Sequence, residues 1–122
     1  MSDVSADQRV ILVVDDDQGV VTLLRDIFED VGFAVHTATT VADAQTLLAG
    51  APGFDIVLAD VRLPDGSGET VCQAAQGLGI PCVLMSGHPD VILQHAQGPD
   101  DFLAKPFKIH DLLRAVLLKV PP

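Results

Sequence analysis

Five residues whose side chains could act together are scattered along the chain: Asp15, Asp16, Asp60, Ser86 and Lys105. Three carboxylates, a hydroxyl and an ammonium suit a hard cation and phosphoryl chemistry. Mg2+ takes oxygen ligands, keeps several waters and often rests on one or two carboxylates beside a phosphate. Asp15, Asp16 and Asp60 carry about −3, while Mg2+ and Lys105 together supply about +3. A cation would therefore relieve the repulsion and leave the site receptive to a phosphoryl group. The run Asp15, Asp16, Asp17 stands directly behind five apolar residues, Val10–Val14. Two readings of it remain open at this level. It is half of a metal site, with Asp17 turned toward the start of a helix, or it is a set of carboxylates that cap that helix and favour its dipole.

These residues need elements to bring them together. Val10–Val14 is a continuous apolar run, mostly β-branched, as in a strand covered on both faces. Val20, Leu23, Leu24, Ile27, Phe28 and Val31 recur at helical spacing, between an N-cap at Asp17 and a stop at Gly32. A second strand is expected over 33–38. Thr40 then caps a helix that turns Val41, Ala44, Leu47 and Leu48 inward and closes at Gly50 and Pro52. A third strand over 54–60 ends in Asp60, and the cluster 63–68, "LPDGSG", is a turn. A third helix has Val71, Ala74, Ala75 and Leu78 inward. The fourth strand covers 81–87, a short helix 89–98 and the fifth strand 101–104. The last helix buries Ile109, Leu112, Leu113, Val116, Leu117 and Val120. Five strands alternating with five helices argue an open, doubly wound parallel α/β sheet. Ligands of such sheets bind at the carboxyl ends of the strands, near a topological switch point. All five chemical residues fall at that edge.

Composition narrows the function classes. A chain of 122 residues with 48% hydrophobic and 20% charged residues suits one globular domain. Its net charge of −10, with only seven scattered Lys and Arg, argues against direct nucleic-acid binding. No apolar run is long enough to span a bilayer, and the polar start 1–9 has no signal-peptide pattern, so the expectation is a cytoplasmic protein without membrane attachment. Cys72 and Cys82 fit no metal spacing and are expected as two reduced, buried thiols. His36, His95 and His110 have no ligand spacing and are expected at the surface. There is no GxGxxG, no GxxxxGK, and no Trp or Tyr to stack on a flavin.

Four motifs, "ILVVDDD", "VLADVRLPDGSG", "VLMSGH" and "DFLAKPF", stand in the order and nearly the spacing of a two-component response-regulator receiver domain of the CheY-like superfamily. The chain resembles that family from Arg9 onward. The resemblance implies a five-stranded sheet in the order 2-1-3-4-5 and a phosphoacceptor at Asp60. It implies Mg2+, with Mn2+ as a substitute, on Asp15, Asp16, Asp60 and the backbone carbonyl of Arg62. Ser86 would contact the phosphoryl group and Lys105 would pair with the acceptor. Phe102 would be the aromatic switch residue, while Arg62 and His88 would tune the lifetime of the acyl phosphate. Lys105–Pro106 is a candidate cis peptide. The phosphodonor would be a phosphohistidine on a histidine kinase or phosphotransfer protein; the downstream target is open, and a homodimer is allowed.

Two departures from the family pattern stand out. The stretch from Ser86 to Lys105 is short, so the fourth helix is expected to be short or irregular, with Gly98–Pro99 breaking it and an exposed apolar patch at 91–93. The expected organisation is a flexible tail over 1–8 and a receiver over 9–120, with no output domain. Alternatives are a receiver cut from a hybrid histidine kinase and a Mg2+-dependent aspartyl phosphatase. Such phosphatases usually carry a second Asp two residues after the nucleophile, where this chain has Arg62.

Overall fold

The computed structural model describes residues 8–50, 53–95 and 102–120. The expected tail therefore lies almost wholly outside the described residues, as do Pro52, Gly98, Pro99 and Asp101. The elements run β1 (Val10–Val14), α1 (Gln18–Asp30), β2 (Ala34–Ala38), α2 (Val41–Ala49) and β3 (Ile56–Asp60). A two-residue-strand hairpin follows, β4 (Arg62–Leu63) and β5 (Gly66–Ser67). Then come α3 (Gly68–Gly77), β6 (Cys82–Ser86), α4 (Pro89–His95), β7 (Phe102–Ala104) and α5 (Ile109–Leu117). The main sheet has the order β2-β1-β3-β6-β7 and is parallel throughout. With the hairpin set aside, that is the expected 2-1-3-4-5.

Each strand of the sheet's centre is apolar on both faces because helices cover both. Leu12 and Val14 of β1 point into one layer with Val41, Ala44 and Leu48 of α2 and Val71 and Ala75 of α3. Ile11 and Val13 point into the other, with Leu24 and Phe28 of α1 and Leu112 and Val116 of α5. The expected caps form: Asp17 Oδ1 accepts from the Gly19 and Val20 amides, and Thr40 Oγ1 from Asp43. Gly32 at φ 98° lets the chain leave α1 in the left-handed region.

Several inward assignments are corrected. Leu23, Val31, Leu78, Ile109 and Leu117 are exposed, whereas Val21 and Cys72 are buried. The stripe of α1 that meets the sheet is Val21, Leu24 and Phe28, and Leu23 sits one residue, or about 100°, off it. Leu78 lies past the last turn of α3, as its C-cap. In α5 the buried positions are Leu112 and Val116, one turn apart, with Val120 beyond. The 91–93 segment is not uniformly exposed either, since Val91 is buried. His36 is half-buried, its ring edge-to-face with Phe54 at 5.4 Å.

The cysteines overturn the expectation of two reduced thiols. Cys72 of α3 and Cys82 at the start of β6 form a disulfide, with Cα atoms 5.4 Å apart. Helix α3 packs on β3 and β6, and this contact brings together two residues that share no motif in the sequence.

Candidate functional site

The sheet register builds the site. Val14 pairs with Ala59, so the next residues, Asp15 and Asp60, leave adjacent strands side by side. The chain turns from β1 outward to β2 and returns on the other side as β3, which opens a crevice between their carboxyl ends. On the far side Ser86 pairs with Ala104, and the Lys105 amide donates to the Ser86 carbonyl at 2.8 Å. Lys105 thus enters the crevice from the end of β7, across two strands from Asp15. The Lys105–Pro106 bond is cis.

At the centre the Lys105 ammonium donates to Asp15 Oδ2 at 2.7 Å and to Asp60 Oδ2 at 2.8 Å. Each carboxylate is also held by a backbone amide. Asp15 Oδ1 accepts from Asp17 and Asp60 Oδ1 from Arg62, at 2.9 and 3.1 Å. Asp15 and Asp60 are buried and Asp16 is exposed, and the carboxylates of the three offer oxygens within 4.8 Å of one another. A cluster of oxygen donors, part buried and part open to water, fits a hard divalent cation that keeps part of its hydration. The two buried carboxylates and the exposed Asp16 together carry more negative charge than Lys105 alone can balance.

The electrostatics follow from burial. Loss of water is the largest influence on Asp15 and raises its carboxyl above the ordinary 3.8, against the opposing pull of Lys105 and of the Asp17 amide. For Lys105 burial pulls the ammonium down, but the hydrogen bonds and charges of Asp15 and Asp60 together outweigh it, and the net shift is upward from 10.5.

The remaining expected residues surround this centre. Ser86 is buried, and its Oγ accepts from the His88 amide at 3.0 Å. His88 is exposed at the entry to α4, where its carbonyl accepts from Ile92. Arg62 lies on the rim and its guanidinium pairs with Asp90 at 3.0 Å. Phe102 is half-buried and lines a groove of about 290 Å³ with Asp111, Arg114, Ala115 and Leu118, away from the acid cluster. A second groove, of about 480 Å³, is mostly apolar and reaches the site itself, being lined by Val20, Leu23, Gly87, Lys105, Pro106 and Phe107.

Three site features escaped the sequence reading. The Lys105–Asp15 pair and the Arg62–Asp90 pair depend on sheet order and left no local signal. The third is Asp65, in the turn of the β4–β5 hairpin, whose carboxylate accepts from the Val41 and Ala42 amides at 2.8 and 3.1 Å. It caps α2 from across the site's edge. Gly68 has a legible reason: a Cβ there would collide with the Asp60 carbonyl, so the start of α3 can lie against the end of β3 only as glycine.

Residues 11–117 match the response regulator receiver domain family. The chain belongs to that family. Among curated proteins, the receiver is 33% identical over 111 residues to the swarming motility regulation protein RssB of Serratia marcescens, covering 87% of this chain and 50% of that one. It is 34% identical over 122 residues to the response regulator protein TmoT of Ectopseudomonas mendocina, covering 94% and 55%. The chain thus spans about half the length of these relatives. Among solved structures, it is similar to a response regulator receiver protein from Sinorhizobium medicae WSM419, at 28% identity and a TM-score of 0.83, covering 95% and 97% of the two chains. A CheY-like receiver domain protein from Methanospirillum hungatei JF-1 matches at 26% identity and a TM-score of 0.78, covering 93% and 94%. No helix among the described residues is long and apolar enough to cross a membrane.

Proposed function

We propose that residues 9–120 act as a phosphorelay receiver that takes a phosphoryl group from a phosphohistidine onto Asp60. The observation that carries this reading is the Lys105 ammonium clamped between Asp15 and Asp60 at the switch point of the sheet, with Asp16 facing the same space. In the transfer a carboxylate oxygen of Asp60 bonds to phosphorus as the P–N bond of the donor breaks. The imidazole leaves with the electron pair, and the product is an acyl phosphate. In a separate hydrolytic step water attacks phosphorus, the P–O bond to Asp60 breaks with the electron pair returning to the Asp60 carboxylate, and orthophosphate departs. Positioning and charge neutralisation supply most of the rate in such transfers.

Asp15, Asp16, Asp60 and the Arg62 carbonyl would hold Mg2+, or Mn2+ in its place. When bound, the ion supplies positive charge to the phosphoryl oxygens. Lys105 supplies a second charge and, through its bond to Asp60 Oδ2, orients the acceptor. The Ser86 hydroxyl, whose oxygen already accepts from His88, keeps its own proton to donate to a phosphoryl oxygen. Arg62 and His88, two residues after Asp60 and Ser86 respectively, would tune phosphate lifetime by admitting or blocking water. The donor, a histidine kinase or phosphotransfer protein, would seat on the apolar groove of Val20, Leu23, Pro106 and Phe107, since that groove ends at Lys105. We place the receiver in the cytoplasm, where the Cys72–Cys82 disulfide would be exposed to reduction. The aspartyl phosphatase reading is disfavoured by Arg62 standing two residues after Asp60. The same receiver chemistry serves a free regulator or one segment of a longer protein.

The test is labelling with a small phosphodonor in the presence of Mg2+. Wild type should take up an acid-stable, base-labile phosphate and Asp60→Asn should take up none, because the amide is no nucleophile here. Equal labelling of the two removes Asp60 as acceptor.

A further inference from the structure

We infer that Asp90 is a positioning residue, which holds the Arg62 guanidinium off the phosphoryl site until a phosphoryl group on Asp60 competes for it. The inference rests on the receiver reading above. Arg62 belongs to the site through its backbone: its amide donates to Asp60 Oδ1 at 3.1 Å. A side chain rooted that close to the acceptor can reach oxygens attached to it. In the present state it points instead across the mouth to Asp90 Oδ2 at 3.0 Å, on the first turn of α4. The pair bridges the β3–α3 connection to α4.

The competition has a clear direction. Arg62 and Asp90 are 53% and 69% exposed at the side chain, so their attraction is weak and screened. A phosphoryl group brings close to two negative charges and three acceptor oxygens, which a guanidinium can meet with two parallel bonds. Lys105 is already engaged by Asp15 and Asp60 and turns only part of its capacity to the new group. Phosphorylation therefore draws Arg62 inward and frees the start of α4 from the β3–α3 connection. Asp90 sets how much of the Arg62 attraction the phosphoryl state receives, and thereby couples Asp60 to α4 by a route separate from Ser86 and Phe102.

Beryllofluoride with Mg2+ serves as the phosphoryl mimic, its affinity read from amide shifts near Asp60. Asp90→Asn should raise that affinity by about two- to fivefold, the range an exposed ion pair can contribute. Asp90→Glu should return it to the wild-type value. In an Arg62→Gln background, Asp90→Asn should change nothing, and in wild-type Arg62 the gain should shrink in about 1 M salt. Equal affinity of wild type and Asp90→Asn, or the same gain without Arg62, overturns the latch while leaving the receiver intact. No response at Asp60 in wild type overturns the receiver reading and the latch together.

Discussion

Burial disfavours ionisation of Asp15, and the consequence can be measured. Burial raises its carboxyl above 3.8, so folding favours the protonated form, and a bound cation requires the ionised one. Stability of the metal-free fold due to this group is present at low pH and lost as pH rises through the raised value. Metal affinity runs the other way. Mg2+ binding should therefore weaken on acidification while exposed carboxylates are still ionised, at a pH above the ordinary range. A Mg2+ titration at several pH values, followed by amide shifts at Asp15 and Asp60, reads this directly. An affinity that stays level until below pH 3.8 contradicts it. Lys105 has the opposite relation to pH: its raised pKa stabilises the fold below 10.5, and that contribution is lost as pH climbs through the raised value.

At the scale of elements, two long-range ties hold the helices that frame the crevice. The first is Asp65, which satisfies the two leading amides of α2 from the β4–β5 turn. Those hydrogen bonds hold its carboxyl below 3.8, so the tie is complete above that pH and is lost as pH falls through the lowered value. Asp65→Ala should speed hydrogen exchange at Val41 and Ala42 at neutral pH and lower the melting temperature, with the difference from wild type fading in acid. Unchanged exchange at those two amides counts against the cap. The second tie is the disulfide from α3 to β6, across a separation of 10 residues. In the chain-entropy account a loop of that length stabilises by about 2–3 kcal/mol. Reductant should lower the denaturation midpoint accordingly, and identical midpoints with and without it would show that the bond is absent in solution.

For the molecule as a whole, the question is how an event at Asp60 reaches the surface. Ser86 is the last residue of β6, beside Ala104 of β7, and Phe102 sits two residues earlier on β7, paired with Leu84. A phosphoryl oxygen offers the Ser86 hydroxyl a charge-assisted bond that the free site lacks. An inward turn of Ser86 would vacate space at the β6–β7 edge, which Phe102 would fill by leaving its groove against α5. Ligand contacts of this size need only shift an existing minor conformer. With beryllofluoride and Mg2+, hydrogen exchange should change in α4, β7 and α5 as well as around Asp60. Change confined to the neighbourhood of Asp60 and Ser86 would leave Phe102 as ordinary packing.

Much of the fold was legible because its signals are local. An apolar, mostly β-branched run marks a strand such as Val10–Val14, and Asp17 and Thr40 cap helices with their own next residues, so periodicity and caps can be read without the partner elements. The acids at strand ends were legible for the same reason, since α/β sheets collect polar groups at one edge. What the sequence could not contain was the choice among partners distant in the chain. The Lys105–Asp15 bond crosses 90 positions and exists because β7 lies two strands from β3 and β1 beside it. Arg62–Asp90, Asp65 on α2 and Cys72–Cys82 arise where packed elements happen to place complementary groups within reach. Helix faces divide along the same line: Leu23, Ile109 and Leu117 have the right residue type for the core, but the sheet covers a narrower stripe than their apolar pattern. Apolar character is a property of the residue, whereas burial is a property of the neighbour that covers it, and only the tertiary structure supplies that neighbour.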